Sequence, residues 1–352
     1  MPIDKSKPVL VTGATGYVAG RLVERLLENG LTVHAAVRDP DNVDKLQYLN
    51  AIASTAAGTI KYFKSDLLVE GSYVDAMCDC ELVYHTASPF TVTVSDPQRE
   101  LIEPAEQGTR NVLKQANRTD SVKRVVVTSS VAAIYGDNTD LKDSETGKFT
   151  EADWNTTSSL THYPYSYSKL RAEKEAWRVA DAQDRWSLVT INPSLVIGPG
   201  INPNATSESF NLIRNFGDGT MRLGVPDFGI GVVDVRDVAE AHIKAGFTDS
   251  AHGRYLTSGH NTSFPEMARA LKAHFGKVYP FPPMISPKPI VWLVGPLLDK
   301  SLTRAMISRN VGHPFVADNS RSISELDMNY RPMEESLIQF FQQLADNGAF
   351  KK

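Results

Sequence analysis

The sequence predicts an α/β protein: a doubly wound parallel sheet followed by a smaller C-terminal α+β lobe. Three observations predict it. Short β-branched runs alternate with longer amphipathic stretches through the first 195 residues. Two glycines stand between the first such run and the first amphipathic stretch, in "VLVTGATGYVAGRL". The alternation then breaks up after Gly198, where "GPGINPNATSES" is rich in Gly, Pro and Asn. Strands alternating with helices imply βαβ units, hence a parallel sheet covered on both faces.

Each element has its own warrant. "PVLVT" (8–12) reads as a fully buried strand. "YVAGRLVERLLENG" (17–30) reads as a helix, with Val18, Leu22, Leu26, Val23 and Leu27 on one side and Gly30 as its stop. Further strands are expected at 32–38, 59–66, 81–87, 124–130 and 187–198. The clearest helices between them cover roughly 97–118 and 166–183. Beyond Gly198 the pattern gives a helix near 235–247, a strand near 254–258 and helices near 264–275 and 334–346. This divides the chain at residue 198, with segments around 230–260 returning to the first part and 199–352 forming mainly a substrate-binding lobe. The lobe is expected to close over the carboxyl ends of the strands, where open α/β sheets bind ligands.

Composition narrows the function. The 37 basic and 41 acidic residues leave a net charge of −4, which points away from nucleic acid or an anionic membrane as the main partner. The opening "MPIDKSKPVLVTG" lacks the apolar core of a signal peptide, so a cytoplasmic protein is expected. The most apolar late stretch, Pro289–Leu298, is too short to span a bilayer and is expected to be buried or substrate-facing. The one-residue spacing of Cys78 and Cys80 disfavours a mutual disulfide and matches no zinc pattern. The eight histidines are scattered, and no metal site is predicted.

The glycine pair carries the first chemistry. Gly13 permits a tight turn, and Gly16 lets backbone N–H groups approach a pyrophosphate at a helix N-terminus. Ala19 takes the third small position, so the pattern is G-x-x-G-x-x-A in a Rossmann-like strand–turn–helix context. The second strand ends "AAVRDP". An acid there accepts from a ribose 2′-OH, whereas arginine pairs with a 2′-phosphate. Arg38 precedes Asp39, which favours NADP(H) and leaves NAD(H) open, with Lys45 adding charge. The alternative reading makes Arg38 a solvated strand end and Asp39 a turn cap before Pro40. Asp66 and Leu67 close the third strand and are placed to meet adenine.

The second chemistry lies in "YPYSYSK" (163–169). A free phenol titrates near 10, and a fixed ammonium nearby favours the phenolate. Residues four apart share a helix face, so Tyr165 pairs with Lys169, while Tyr163 and Tyr167 lie off that face. Pro164 suits a first helical turn. "VVVTSSVAA" ends a strand at the same sheet edge with Thr128, Ser129 and Ser130, and a serine there would hold a carbonyl oxygen beside the tyrosine. Serine, tyrosine and lysine together make a proton-delivery site.

With these residues in place, the sequence resembles the extended short-chain dehydrogenases/reductases, and within them the dihydroflavonol 4-reductase-like group. "VTGATGYVAG", "AAVRDP", "KSDL", "VYHTASP", "KRVVVTSSVAA", "YSYSKLRAEKEAW", "INPSLVIGPG" and "DVRDVAEAH" carry the resemblance. The resemblance implies that Gly13, Thr15, Gly16, Tyr17 and Val18 cradle the pyrophosphate and that Arg38 and Lys45 meet the 2′-phosphate. It places Asp66 and Leu67 on adenine, Thr86, Ala87 and Ser88 on the ribose side, with Thr128 on the next strand, and Pro193, Leu195 and Val196 against nicotinamide. It makes Ser130 the catalytic serine, with Ser129 as the fallback, Tyr165 the proton donor, and Lys169 the ligand of the nicotinamide ribose. The implied activity is NADP(H)-dependent reduction of an aldehyde or ketone, a small-molecule carbonyl substrate, by a monomer or homodimer. The 200–230 segment, which shapes the pocket in the plant enzymes, departs from their pattern.

Other readings remain. A nucleotide-sugar epimerase or dehydratase would retain NAD, a 3β-hydroxysteroid dehydrogenase-like enzyme would share the triad, and a cofactor-sensing regulator would bind without chemistry. Phe90 is placed at the cleft mouth, in contact with substrate or merely packed. His85 is expected to be a buried histidine satisfied by backbone, Asp234 and Asp237 helix caps, and the four tryptophans packing residues.

Overall fold

The computed structural model describes residues 2–89, 94–205, 207–298 and 302–350. The first part runs β1 (Val9–Thr12), α1 (Tyr17–Glu28), β2 (Thr32–Val37), α2 (Val43–Ala53), β3 (Thr59–Lys64), α3 (Val74–Met77) and β4 (Leu82–His85). It continues through α4 (Glu103–Arg118), β5 (Arg124–Thr128), α5 (Pro164–Ala180), β6 (Ser187–Pro193) and β7 (Leu195–Ile197). The remainder is α6 (Glu208–Gly217), β8 (Val225–Pro226), β9 (Gly229–Asp234), α7 (Val235–Phe247), β10 (Gly253–Thr257), β11 (His260–Ser263) and α8 (Phe264–Phe275). It closes with β12 (Ile285–Ser286), α9 (Lys288–Leu298), α10 (Arg304–Asn310), α11 (Ser320–Leu326) and α12 (Met333–Asp346).

Seven strands form one parallel sheet in the order β10-β6-β5-β4-β1-β2-β3. The order reverses at β1, so the chain leaves β1 and β4 toward opposite faces of the sheet, and a crevice opens at their carboxyl ends. Helix α1 buries Leu22, Val23, Leu26 and Leu27 on one sheet face. Full burial of one such leucine contributes roughly 1.5–3 kcal/mol. On the other face Val112, Leu113 and Ala116 of α4 meet Ala176, Val179 and Ala180 of α5. These two helices are also latched by Arg110–Glu175 at 2.5 Å and Arg171–Glu106 at 2.6 Å.

Helix α1 ends as its sequence implies. Gly30 adopts φ +78, and the N–H of Leu31 donates back to the Leu26 carbonyl at 3.1 Å. The expected helix over 97–118 begins differently: a π-turn, Gln98–Ile102, precedes α4. Pro104 has no N–H for an ordinary helical bond, and the widened turn absorbs its ring. Helix α5 starts at Pro164, two residues before the expected boundary, because Tyr163 sits in the left-handed region at φ 52.

The expected strand over 187–198 is two strands. The Ser194 N–H donates to the Thr257 carbonyl at 3.1 Å, ending the run in the large sheet. The chain then crosses to a second, three-stranded sheet ordered β11-β9-β7. Both halves are apolar, so hydrophobicity alone could not mark the crossing. The Pro289–Leu298 stretch also departs from the burial offered for it. Helix α9 buries only Gly295, while Leu293 is 60% exposed and Leu297 84%. A third core joins α6, α8 and α12 through Phe210, Phe216, Phe340 and Phe341.

Candidate active site

The β1–α1 loop forms the floor of the crevice. Gly13 adopts φ +63, and a Cβ there would lie 3.0 Å from the Ala87 Cα, so the β1 and β4 loops approach closely only because the residue is glycine. The Gly16 N–H donates to the Gly13 carbonyl at 2.9 Å and closes the turn. Thr15, Gly16, Tyr17 and Val18 follow at the N-terminus of α1, where the N–H groups of a helix's first turn, lacking intrahelical partners, favour an anion. The Tyr17 side chain turns away from that anion site. Its hydroxyl donates to the Gly198 carbonyl at 2.5 Å, and its ring stacks on Phe340. Burial holds its phenol well above the ordinary range.

Arg38 is exposed just beyond the end of β2, and Lys45 is exposed in the first turn of α2. Asp39 accepts from the Asp41 N–H at 3.1 Å, which commits its carboxylate to the local turn. Asp66 is exposed and accepts from the Leu68 N–H at 2.9 Å. Leu67 leans on α4, where a Cβ at Gly108 would lie 2.5 Å from its Cγ.

At the end of β4 a hydroxyl organises the turn at Thr86 and Ala87. Thr12 Oγ1 accepts from the N–H groups of Thr86 (3.1 Å) and Ala87 (3.0 Å). Its own proton therefore goes to His85 Nδ1, 2.9 Å away. His85 is thus satisfied by a side chain, where the sequence suggested backbone. Burial, then the charge of Lys169, holds its pKa down at about 3, so the ring is neutral with its proton on Nε2. Thr128 points into the protein: its hydroxyl donates to His242 Nε2 at 2.6 Å, since His242 Nδ1 already donates to the Val238 carbonyl at 2.7 Å.

Lys169 and Tyr165 share the crevice-facing side of α5. The Lys169 Nζ donates to Ser88 Oγ at 3.0 Å and lies 5.7 Å from the centroid of the Tyr165 ring. Tyr165 is 49% exposed. Ser129 and Ser130 part company at the end of β5. Ser129 is buried, and its hydroxyl donates to Glu173. Ser130 is half-buried, and its Oγ accepts from the Ala132 N–H at 3.1 Å, which leaves its own proton free to donate. Pro193 is buried at the end of β6, and Leu195 and Val196 are half-buried at the start of β7. Phe90 lies outside the described residues. A cavity of about 20 Å³, room for one water, sits behind Lys169 between His85, Thr128 and Glu173.

Sequence reasoning missed Thr12, His242, Glu173 and Arg254. Glu173 left one signal: it stands four residues after Lys169, on the same helix face. Its carboxylate is buried and accepts from Arg254 Nε at 2.7 Å and Asn192 Nδ2 at 2.7 Å. Asp234 does cap α7, accepting from the Arg236 N–H at 2.7 Å, whereas Asp237 pairs with Arg331 instead. Trp154 carries the Arg254 guanidinium on its face at 3.9 Å.

The family model described as "NAD dependent epimerase/dehydratase family" matches residues 9–254. The chain is an extended short-chain dehydrogenase/reductase. Among curated relatives of this reductase-like chain, the cinnamoyl-CoA reductase CAD2 of Medicago truncatula is 41% identical over 268 residues, 75% of this chain and 79% of that protein. An anthocyanidin reductase of Vitis vinifera is 35% identical over 283 residues, 78% and 82% of the two chains. The yeast methylglyoxal/isovaleraldehyde reductase Gre2, solved with NADPH, superposes with a TM-score of 0.76 at 25% identity, over 97% of this chain and 99% of its own. No helix among the described residues of this short-chain dehydrogenase/reductase is long and apolar enough to cross a membrane.

Proposed function

We propose that the protein is an NADP(H)-dependent carbonyl reductase that converts an aldehyde or ketone to an alcohol. The observation that carries this reading is the placement of Lys169 between Ser88 and the Tyr165 ring, one strand away from a serine whose proton is free. Gly13, Thr15, Gly16, Val18 and the Tyr17 backbone would hold the pyrophosphate. Arg38 and Lys45 would hold the 2′-phosphate, Asp66 and Leu67 the adenine, and Thr86, Ala87, Ser88 and Lys169 the nicotinamide ribose. Thr128 supports that side through its neighbours, and Pro193, Leu195 and Val196 would wall the ring. When bound, the dinucleotide supplies the hydride that reaches the carbonyl carbon. Ser130 donates a hydrogen bond to the carbonyl oxygen, and Tyr165 gives that oxygen its proton. The Lys169 ammonium, 5.7 Å from the centroid of the Tyr165 ring, is placed to favour the negative charge that forms on the phenol.

Turnover of NADPH with cinnamaldehyde, methylglyoxal or isovaleraldehyde is the expected result, followed at the nicotinamide absorbance. NAD found bound to the purified protein, with no consumption of NADPH by any of these carbonyls, would overturn the reading in favour of an epimerase or dehydratase. Apolar substrates should rank highest. Tyr163 packs against the apolar cluster of Met306, Ile307 and Val311, so an apolar region begins two residues from Tyr165. The exposed Asp39 region gives a second test. With its carboxylate committed to the Asp41 N–H, Arg38 is the side chain available to a 2′-phosphate. Arg38→Ala should raise the KM for NADPH about tenfold or more and leave the KM for NADH unchanged, since one charge-assisted contact of this kind is worth about 1.5–3 kcal/mol. Equal effects on both cofactors would remove Arg38 from the 2′-phosphate site.

A further inference from the structure

We infer that Glu173 is a positioning residue for the reduction proposed above, on which this inference rests: its carboxylate fixes the serine-bearing end of β5 against the helix that carries Tyr165 and Lys169. Tyr165, Lys169 and Glu173 occupy successive turns of one face of α5. The first two reach the crevice, while Glu173 is 2% exposed and lies beneath it.

Three strands converge on that one carboxylate. From the end of β5, the Ser129 hydroxyl donates to Oε2. From β6, Asn192 Nδ2 donates to Oε2 at 2.7 Å and to the Ser130 carbonyl at 3.2 Å, so one amide spans the carboxylate and the serine backbone. Thr190 donates to Oε1 at 3.2 Å. From β10, Arg254 Nε donates to Oε1 at 2.7 Å. Arg254 is itself held: its NH1 donates to the Glu151 and Asp153 carbonyls at 2.8 and 2.5 Å, and Trp154 covers its face.

A buried ion pair adds little stability over apolar packing of the same volume, because both charges give up water. What this pair adds is direction. A carboxylate filled on both oxygens cannot rotate without breaking several bonds, and it binds the Ser129 hydroxyl so that only Ser130 presents a free proton. Ser130 and Tyr165 must address the same carbonyl oxygen from two different elements. Their separation is therefore set where those elements are tied, and Glu173, two turns along α5 from Tyr165, is such a tie. A misplacement of about 1 Å in such a pair costs on the order of 100-fold in rate.

The test is a double-mutant cycle with Ser130, using the full chain, NADPH and the best carbonyl of the panel above. Glu173→Gln should lower kcat about 10- to 100-fold, with the Kd for NADPH changed by less than about twofold. In a Ser130→Ala background the same substitution should cost no further kcat beyond about twofold, because Glu173 acts through the serine. Glu173→Gln leaves Arg254 without its counter-charge, so a loss of folding is a risk there. Asn192→Ala removes the strut to the Ser130 carbonyl without unpairing any charge and is put through the same cycle. Wild-type kcat in both variants overturns the inference and leaves the reductase reading intact. So does an equal loss of kcat with and without Ser130, which would mark a general loosening of the fold. If the wild-type protein turns over no carbonyl, the reductase reading falls and this inference with it.

Discussion

Tyr165→Phe lowers kcat by about 1,000-fold or more, the upper range for a lost general acid, while the Kd for NADPH stays near the wild-type value. The two effects separate because of where the phenol sits. Tyr165 is 49% exposed at the crevice, and its removal leaves no buried polar group unpartnered. Lys169 keeps its bond to Ser88 at 3.0 Å, so the residues proposed to hold the nicotinamide ribose keep their arrangement. Tyr163→Phe and Tyr167→Phe serve as controls. Tyr163 belongs to the apolar cluster with Met306 and Val311, and the Tyr167 hydroxyl accepts from Arg171 at 3.0 Å. Neither is expected to change kcat by more than about threefold, the range of an ordinary surface or packing change. Stopped-flow oxidation of NADPH and quenching of the tryptophan fluorescence measure the two quantities. Substantial turnover by the Tyr165→Phe variant would sink the assignment of the proton donor.

Below pH 6.5 the protein loses several kcal/mol of stability, chiefly through the buried His85 and His242, with buried His34, whose pKa burial also lowers, adding to the loss. Burial lowers the pKa of His85 to about 3 and that of His242 to about 4, against 6.5 for the free side chain. Both rings are therefore neutral in the folded state and take up protons on unfolding. With the folded pKa depressed, the unfolded state binds more protons in the window between the two values, and stability rises with pH there. Their contribution is complete above about 6.5 and is withdrawn as pH falls toward 4. Each ring accounts for up to about 1.4 kcal/mol per pH unit, so about 2–3 kcal/mol each by pH 4.5. Glu151 and Asp237, whose pKa values burial raises, oppose this drop in part. Urea midpoints at pH 7.0, 6.0, 5.0 and 4.5 measure the slope. His242→Gln should flatten it by one histidine's share. Equal midpoints at pH 7.0 and 4.5 would contradict the assignment of both rings as neutral and buried.

The elements of the sheet were legible because each depends on neighbours in sequence. Leu22, Leu26 and Leu27 recur at helical spacing and point one way whatever surrounds them. Gly30 stops α1 through its own positive φ. The pairing of Tyr165 with Lys169 was equally local, since one turn of helix places them together. Where local chemistry was overridden, the cause was a distant partner. The run over 187–198 splits because Ser194 finds the carbonyl of Thr257. Asp237 leaves the capping role for Arg331. Pro289–Leu298 is a separate case: its apolar side chains stand largely in the open, which removes only the buried half of the reading that made it buried or substrate-facing.

The sequence by itself determined the α/β alternation, the glycine turn, the basic end of β2 and the tyrosine–lysine pair, because backbone preference and helical periodicity act over a few residues. The family resemblance favoured Ser130 over Ser129, but the partners of the two hydroxyls were outside the reach of the sequence. Two adjacent hydroxyls are chemically alike, and only the tertiary structure brings Glu173, from 44 residues away, to bind one and leave the other free. The same holds for His85 and Thr12, 73 residues apart. Contacts of that separation are made by packing helices and strands that the periodicity of any one segment does not specify.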